Sequence, residues 1–430
     1  MKKLVKLLVA SLVCMSLVAC GSKTTDEGTT TDEGTTTTTG GTLVVYQNKS
    51  EVTDPLQRFA DKWGEENGVT VEVKTCTGTC DYGAGMKSDM AAGETPDIFI
   101  IEGDTGYELY KNIMEPLDDQ SWVADTDYAY EKDGHVYGMP VAVEGYGLAY
   151  NKDILDAVGV DPTTLTTLSA YKDAFEKIDA KKDELGLTAV VALPTADGMY
   201  WIMGNHDFAA YLSSGLDYYD TSVIDMTLKG EVDADRLATY ADWVELLYQY
   251  TDEKMLISST NDDQMYQFGA GKYAFMHQGT WAEQPVAEAG GDFAMGFAPY
   301  APLGDVETNG LFAGAPSWYC VNKDSANLDV AKKFLVDLAG EDGQKMYVEE
   351  INLISAFKTC KTKPTTPLAG ALSDWIEAGG TAYSFTNQYK TPDGFNMNQL
   401  GPIYNQFASG SIDKQQFIDL FTAAIATLGK

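Results

Sequence analysis

The chain is short of positive charge. Thirty lysines and arginines stand against 64 aspartates and glutamates, with three histidines, giving a formal charge of −34 over 430 residues. Such a balance argues against nucleic acid, whose phosphates demand Lys and Arg, and against an anionic ligand drawn in by long-range steering. Histidine is too scarce, and too far from Cys76-Thr77-Gly78-Thr79-Cys80, for a zinc site to be the natural reading of that pair. No Cys-x-x-Cys redox motif occurs. Past the first twenty residues no apolar run has the length of a membrane span. No metal or cofactor is expected.

What is present begins with an export signal. Lys2, Lys3 and Lys6 precede an apolar stretch from Leu7 to Ala19, too short and wrongly flanked for a spanning helix. Leu17-Val18-Ala19-Cys20-Gly21 looks like a bacterial lipobox. Residues 1–19 are thus expected to be a lipoprotein signal peptide, and Cys20 the acylated first residue of the mature chain. Two or more acyl chains anchor stably at roughly 0.8 kcal/mol per buried methylene. Residues 20–41 continue as a Thr/Gly/acidic tether with no apolar side chain after Cys20, unable to offset its ordering entropy. As a flexible coil it reaches roughly 25 Å. Removing the signal lysines makes the mature charge −37. The remaining cysteines, Cys76, Cys80, Cys320 and Cys360, permit three disulfide pairings, and Cys76 with Cys80 would close a tight loop.

From residue 42 strands alternate with helices. Leu43–Tyr46, Val69–Val73 and Pro96–Ile101 read as strands. Helices are expected over Pro55–Asn67, with Leu56, Phe59, Ala60 and Trp63 on one face, and over Tyr82–Ala92, closed by Gly93. Further along come helices at Leu168–Asp183, Ala234–Tyr250 and Ala326–Ala339, a mostly helical aromatic stretch at Gly198–Leu212, and strands at Ala189–Leu193 and Tyr273–Met276. Asp413 N-caps a last helix running to Leu428. The alternation predicts an α/β layer fold with a largely parallel sheet. Ligands in such sheets sit beyond the carboxyl ends of the strands, which selects the residues just after each one.

The run Gly138-Met-Pro-Val-Ala-Val-Glu144-Gly-Tyr146-Gly-Leu-Ala-Tyr-Asn-Lys-Asp153 resembles the first lobe-crossing segment of family 1 extracellular solute-binding proteins, the group that includes maltose-binding protein. Glu94-Thr-Pro-Asp97-Ile-Phe99, Phe268-Gly-Ala-Gly-Lys-Tyr-Ala-Phe-Met276 with Gly279-Thr280-Trp281, and Ala331-Lys-Lys-Phe-Leu335 resemble further family signatures in the same order. The resemblance covers roughly residues 42–430. It implies a two-lobed, type II periplasmic-binding-protein-like α/β fold with discontinuous lobes and a cleft that closes by hinge motion. The crossings fall near Val143–Gly147, Leu311–Pro316 and Ile351–Phe357. The implied lobes are 42–144 plus 316–352 and 145–315 plus 353–430.

The resemblance and the strand-end rule together nominate ligand contacts. A pyranose offers an apolar face to aromatic rings and a rim of hydroxyls to polar side chains, each costing about 1–3 kcal/mol if left unpaired in a buried site. Asn48, Lys49 and Glu51 follow the first strand; Glu102 and Asp104 follow the third, where Asp104 could equally cap a helix. Glu144 and Tyr146 lie in the first crossing. Asp197, Tyr200 and Trp201 match a second-lobe segment carrying an acidic and an aromatic contact, with one of Tyr200 and Trp201 stacking and the other in the core. Trp281 matches the family's stacking tryptophan. Trp318, where maltose-binding protein has a small residue, either stacks or fills space, and Phe395 is the candidate for a final aromatic contact.

The expected function is a non-enzymatic, monomeric, lipid-anchored protein on the outer face of the bacterial membrane that binds an oligosaccharide and delivers it to an ABC importer permease. A binding protein for a polyamine or phosphodiester is the alternative. A secreted glycoside hydrolase is the other, since acidic pairs are plentiful.

Overall fold

The computed structural model describes residues 41–76 and 80–430; the signal peptide, Cys20 and nearly all of the tether lie outside them. The strands, in chain order, are β1 (Thr42–Gln47), β2 (Thr70–Thr75), β3 (Ile98–Ile101), β4 (Tyr130–Lys132), β5 (His135–Pro140), β6 (Glu144–Asn151), β7 (Val191–Ala192), β8 (Phe275–Gly279), β9 (Met295–Ala298), β10 (Leu311–Gly314), β11 (Trp318–Val321) and β12 (Ala382–Ser384). They form two sheets, β2-β1-β3-β11-β5-β4 and β12-β10-β6-β8-β7, with β9 added beside β6. β1 runs parallel to β2 and β3, whereas β11 is antiparallel to β3 and β5. Each sheet is wrapped by helices over its own apolar core, the two-lobed, type II arrangement with discontinuous lobes.

Local sequence explains the helices that flank the first sheet. In Thr53–Asn67 the buried residues Leu56, Ala60 and Trp63 recur at helical spacing, and Gly68 ends the helix in the left-handed region at φ 68°. Tyr82–Ala92 starts where the Asp81 carboxylate accepts from the Ala84 amide. The Pro-Asp pair before β3 serves the scaffold. Asp97 accepts from the Val44 amide and holds Ser325, stitching β1 to the segment after β11. The last helix, Lys414–Ile425, begins with a capping box between Asp413 and Gln416.

Several expectations shift. The strand expected at Tyr273–Met276 lies at Phe275–Gly279, so Trp281 follows it directly in a 3-10 turn, Thr280–Ala282. The long helix from Leu168 breaks after Asp179 and resumes at Lys182–Leu185. The aromatic stretch holds a π-helical turn, Ile202–Asp207, before the α-helix Phe208–Ser213. Asp104 does not cap its helix: Glu102 occupies the N-cap position, and neither side chain bonds the helix amides. Cys76 and Cys80 form a disulfide, while Cys320 and Cys360 are free thiols.

The chain passes from β5 to β6, returns from β10 to β11, and crosses again after Glu350. These crossings are laced together: the Val141 amide donates to Ser317 O at 3.1 Å, and the Val143 amide donates to Ile354 O at 2.8 Å.

Candidate functional site

The loop after β1 is set by Gln47, whose fully buried side chain donates to Thr75 Oγ1 at 2.7 Å and to Lys49 O at 2.9 Å while accepting from the Lys49 amide. This aims Lys49 at the first crossing. Its Nζ donates to Glu144 Oε1 at 2.9 Å and Oε2 at 3.2 Å, and Glu144 is 1% exposed. Burial pulls the Lys49 ammonium down, but Glu144, Glu51 and Glu102 outweigh it and hold the lysine above its ordinary value. Burial pushes the Glu51 carboxyl up, with Lys49 opposing and Glu144 adding to the rise. Asn48 Nδ2 donates to Glu102 Oε1 at 3.1 Å, which leaves Asn48 Oδ1 buried without a partner.

The second lobe meets this cluster through the segment after β12. Gly103, at φ 55°, approaches Tyr389 so closely that a Cβ there would lie 2.5 Å from the Tyr389 Cβ. The Thr105 hydroxyl bridges to Tyr389 O at 2.7 Å and Thr391 O at 2.8 Å. Burial, then Glu102 and Glu144, raise the Tyr389 hydroxyl well above its ordinary value. Beside it the Gln388 side chain, 0% exposed, approaches that hydroxyl, yet neither its oxygen nor its nitrogen has a well-formed hydrogen bond.

An aromatic group adjoins the charged one. His206, in the π-helical turn, stacks on Tyr146 at 4.3 Å between centroids and lies 5.2 Å from both Trp201 and Trp281. Burial, His277 and Lys49 hold His206 neutral, and its Nδ1 is unpartnered. Trp281 is partly exposed, with Nε1 donating to Gln278 Oε1. Its ring lies over Gly279, where a Cβ would be 2.3 Å from Cζ3, which gives the Gly-Thr-Trp spacing a steric reason.

The structure therefore brings Asn48, Lys49, Glu51, Glu102 and Glu144 together, with Trp201 and Trp281 beside His206. The other nominated residues are either buried beneath this cluster or away from it. Tyr146 is fully buried between His206 and Phe312. Asp104 turns to Tyr130 OH at 2.6 Å and Lys132 Nζ at 3.1 Å. Asp197 is exposed, and Tyr200 packs over Gly401. Trp318 is in the first lobe's interior, its Nε1 donating to Tyr128 O at 2.6 Å and its ring 5.3 Å from Tyr130. Phe395 is packed into the second lobe's core. The aromatic from that region which reaches Glu102 and Glu144 is Tyr389. Tyr389, Gln388 and His206 were not nominated; the strand-end rule applied to β12 points to the first two.

Two α/β lobes, laced crossings and a polar-aromatic cluster between them define a ligand-binding protein of the two-lobed class. The chain belongs to the bacterial extracellular solute-binding protein family, whose model matches residues 58–373. It is similar to the maltodextrin-binding protein MdxE of Bacillus subtilis, 26% identical over 84% of this chain and 82% of that protein. It is also similar to a maltooligosaccharide ABC transporter solute-binding lipoprotein of Streptococcus pneumoniae, 24% identical over 83% and 81%. Among solved structures, a sugar transporter protein of Bacillus licheniformis in complex with stachyose superposes with a TM-score of 0.71 at 18% identity, covering 90% of this chain and all of that one.

Proposed function

We propose that the chain captures an oligosaccharide between its lobes and delivers it to the permease subunits of an ABC importer. One observation carries this reading: Asn48 Oδ1, His206 Nδ1 and both polar atoms of Gln388 are buried without partners beside the rings of Trp201, Trp281 and Tyr389. Buried polar groups are almost always paired; a ligand's own polar groups would pair these, and the rings supply the apolar surface a pyranose face needs. The names of the relatives agree, since both are maltooligosaccharide- or maltodextrin-binding proteins.

In this reading Asn48, Lys49, Glu51, Glu102, Glu144, Gln388 and Tyr389 take hydroxyls, and Trp281 with Trp201 stacks. The lobes are proposed to divide at 42–144 plus 316–352 and 145–315 plus 353–430, although Leu353, Ala356 and Phe357 pack with the first lobe's core. Cys20 carries the lipid that holds a monomeric receptor at the outer membrane face, and the lipoprotein relative supports the anchor. A thermal-shift panel of α- and β-linked oligosaccharides tests the proposal. A melting temperature raised by at least one glycan supports it. No shift with any glycan, or cleavage of one during incubation, overturns it.

A further inference from the structure

The partly exposed indole of Trp281 is not free to choose its orientation. Its Nε1–H donates to Gln278 Oε1, and a relay of two fully buried amides decides that Gln278 presents its oxygen there. The relay starts at Gln264, on the helix Asn261–Gly269, whose Nε2 donates to Ala192 O at 2.8 Å and to His277 O at 3.1 Å. Carbonyl oxygens only accept, so the Gln264 amide cannot turn over, and its Oε1 faces the next amide. There it accepts from Gln278 Nε2 at 2.8 Å, while the second Nε2 proton goes to Asn261 Oδ1 at 2.7 Å. Oε1 is then the atom of Gln278 left for the indole. All the amide protons of both glutamines are used within the relay, and hydrogen bonds in such a chain strengthen one another. The far end of the ring is held by the next residue. The six-membered ring of Trp281 covers Gly279, where a Cβ would lie 2.3 Å from Cζ3 and 2.4 Å from Cη2. Two consecutive residues of β8 thus grip the indole at opposite ends. An unpinned tryptophan would lose rotamer freedom on stacking, at a cost to affinity.

We propose that Gln278, itself set by Gln264, is a positioning residue of the cleft. It fixes the plane of Trp281 for a sugar face, and by consuming the indole N–H it leaves Trp281 a stacking surface alone. This rests on the reading of the cleft as a glycan site. The test is a double-mutant cycle read by calorimetry, with maltotriose, raffinose, stachyose and chitotriose as probes. Gln278→Leu should weaken the glycan that binds by about fivefold, through loss of one hydrogen bond. In a Trp281→Phe background, where no N–H remains to be held, the same substitution should change affinity by less than about twofold. An equal loss in both backgrounds, or no loss in either, overturns the proposal. A second measurement needs neither a glycan nor a relay variant. With tryptophan nitrogen isotopically labelled, the Trp281 indole signal is identified by its disappearance in Trp281→Phe. In the unmodified chain it should exchange with deuterium about tenfold or more slowly than free indole. Exchange at the free rate means that the N–H is not held, and overturns the proposal even should Gln278→Leu misfold. If no probe glycan binds while the indole stays protected, the glycan reading of the cleft is what fails, and the pinning stands.

Discussion

The hydroxyl of Thr105 lies 2.7 Å from the carbonyl oxygen of Tyr389, and the two residues come from opposite lobes, one following β3 and the other β12. A hydroxyl has one proton, so it serves either Tyr389 O or Thr391 O at any instant, but both acceptors are on the far lobe. The contact joins the two lobes directly and needs no ligand. Thr105→Val should weaken binding of every ligand by about the same factor, roughly fivefold for the net loss of one hydrogen bond. The ranking among ligands should be unchanged in calorimetry; a change in ranking would mean that Thr105 touches the ligand.

Gly103 makes the neighbouring close approach to Tyr389 at a positive φ. Gly103→Ala should obstruct closure without removing any polar contact. Small-angle scattering with saturating ligand should show the variant more extended than the unmodified chain, with affinity reduced. An identical scattering profile would rule out this steric role.

Trp281 and Trp318 should separate binding from stability. Trp281→Ala is expected to weaken ligand binding about 30-fold or more, as loss of an aromatic anchor that the ligand covers does. Trp318→Ala removes a side chain packed on Gly138 and Tyr130 and should cost about 3–5 kcal/mol of stability in urea unfolding. Where the Trp318 variant folds, its affinity should be nearly unchanged.

Asp207, next to His206, is fully buried, with its carboxylate accepting from Tyr240 OH at 2.9 Å and Trp243 Nε1 at 3.2 Å. Burial raises it to about 7, against the pull of those two donors. The folded state thus holds a proton that the unfolded chain, with an ordinary value of about 4, releases earlier. Its contribution to stability is fully present below about pH 4 and is lost as pH rises through about 7. Asp207→Asn removes this titration. The melting temperature of the variant relative to the unmodified chain should therefore rise between pH 5 and pH 8. A constant difference would mean that Asp207 is ionised throughout.

Burial also pushes the Cys320 thiol well up, whereas Cys360 is partly exposed. Of these two thiols, only Cys360 should react with a disulfide reagent under native conditions, and Cys320 only after denaturant is added.

Much of the scaffold was legible because its signals are local. The Tyr82–Ala92 helix has the predicted bounds, Gly93 included, and Asp413 caps the last helix as its side chain and spacing imply. Asn48, Lys49, Glu51 and Glu102 followed from the strand-end rule, because β1 and β3 are long or apolar enough to be seen, whereas Glu144 came from the resemblance of the first crossing. The rest depends on tertiary contacts that no local pattern encodes. β12 has three residues, so the loop carrying Gln388 and Tyr389 was not recognised as a strand end. The π-helical turn that places His206 has the composition of an ordinary helix. Trp318 has the same character as a stacking tryptophan, and only the register of β11 between β3 and β5 assigns it to the interior.

Glu144 follows Val143, the residue whose amide ties the first crossing to the third. In the proposed reading the gripping residue, the first of β6, and the pivot just before that strand are therefore consecutive residues. A hinge built apart from its jaws could be loosened without changing what the jaws hold. Here any substitution that eases rotation at Val143 also moves the carboxylate beside it, so the rate of letting go and the strength of holding are tied to one stretch of backbone. A partner that prised the lobes apart would be pulling on the cargo's own handle.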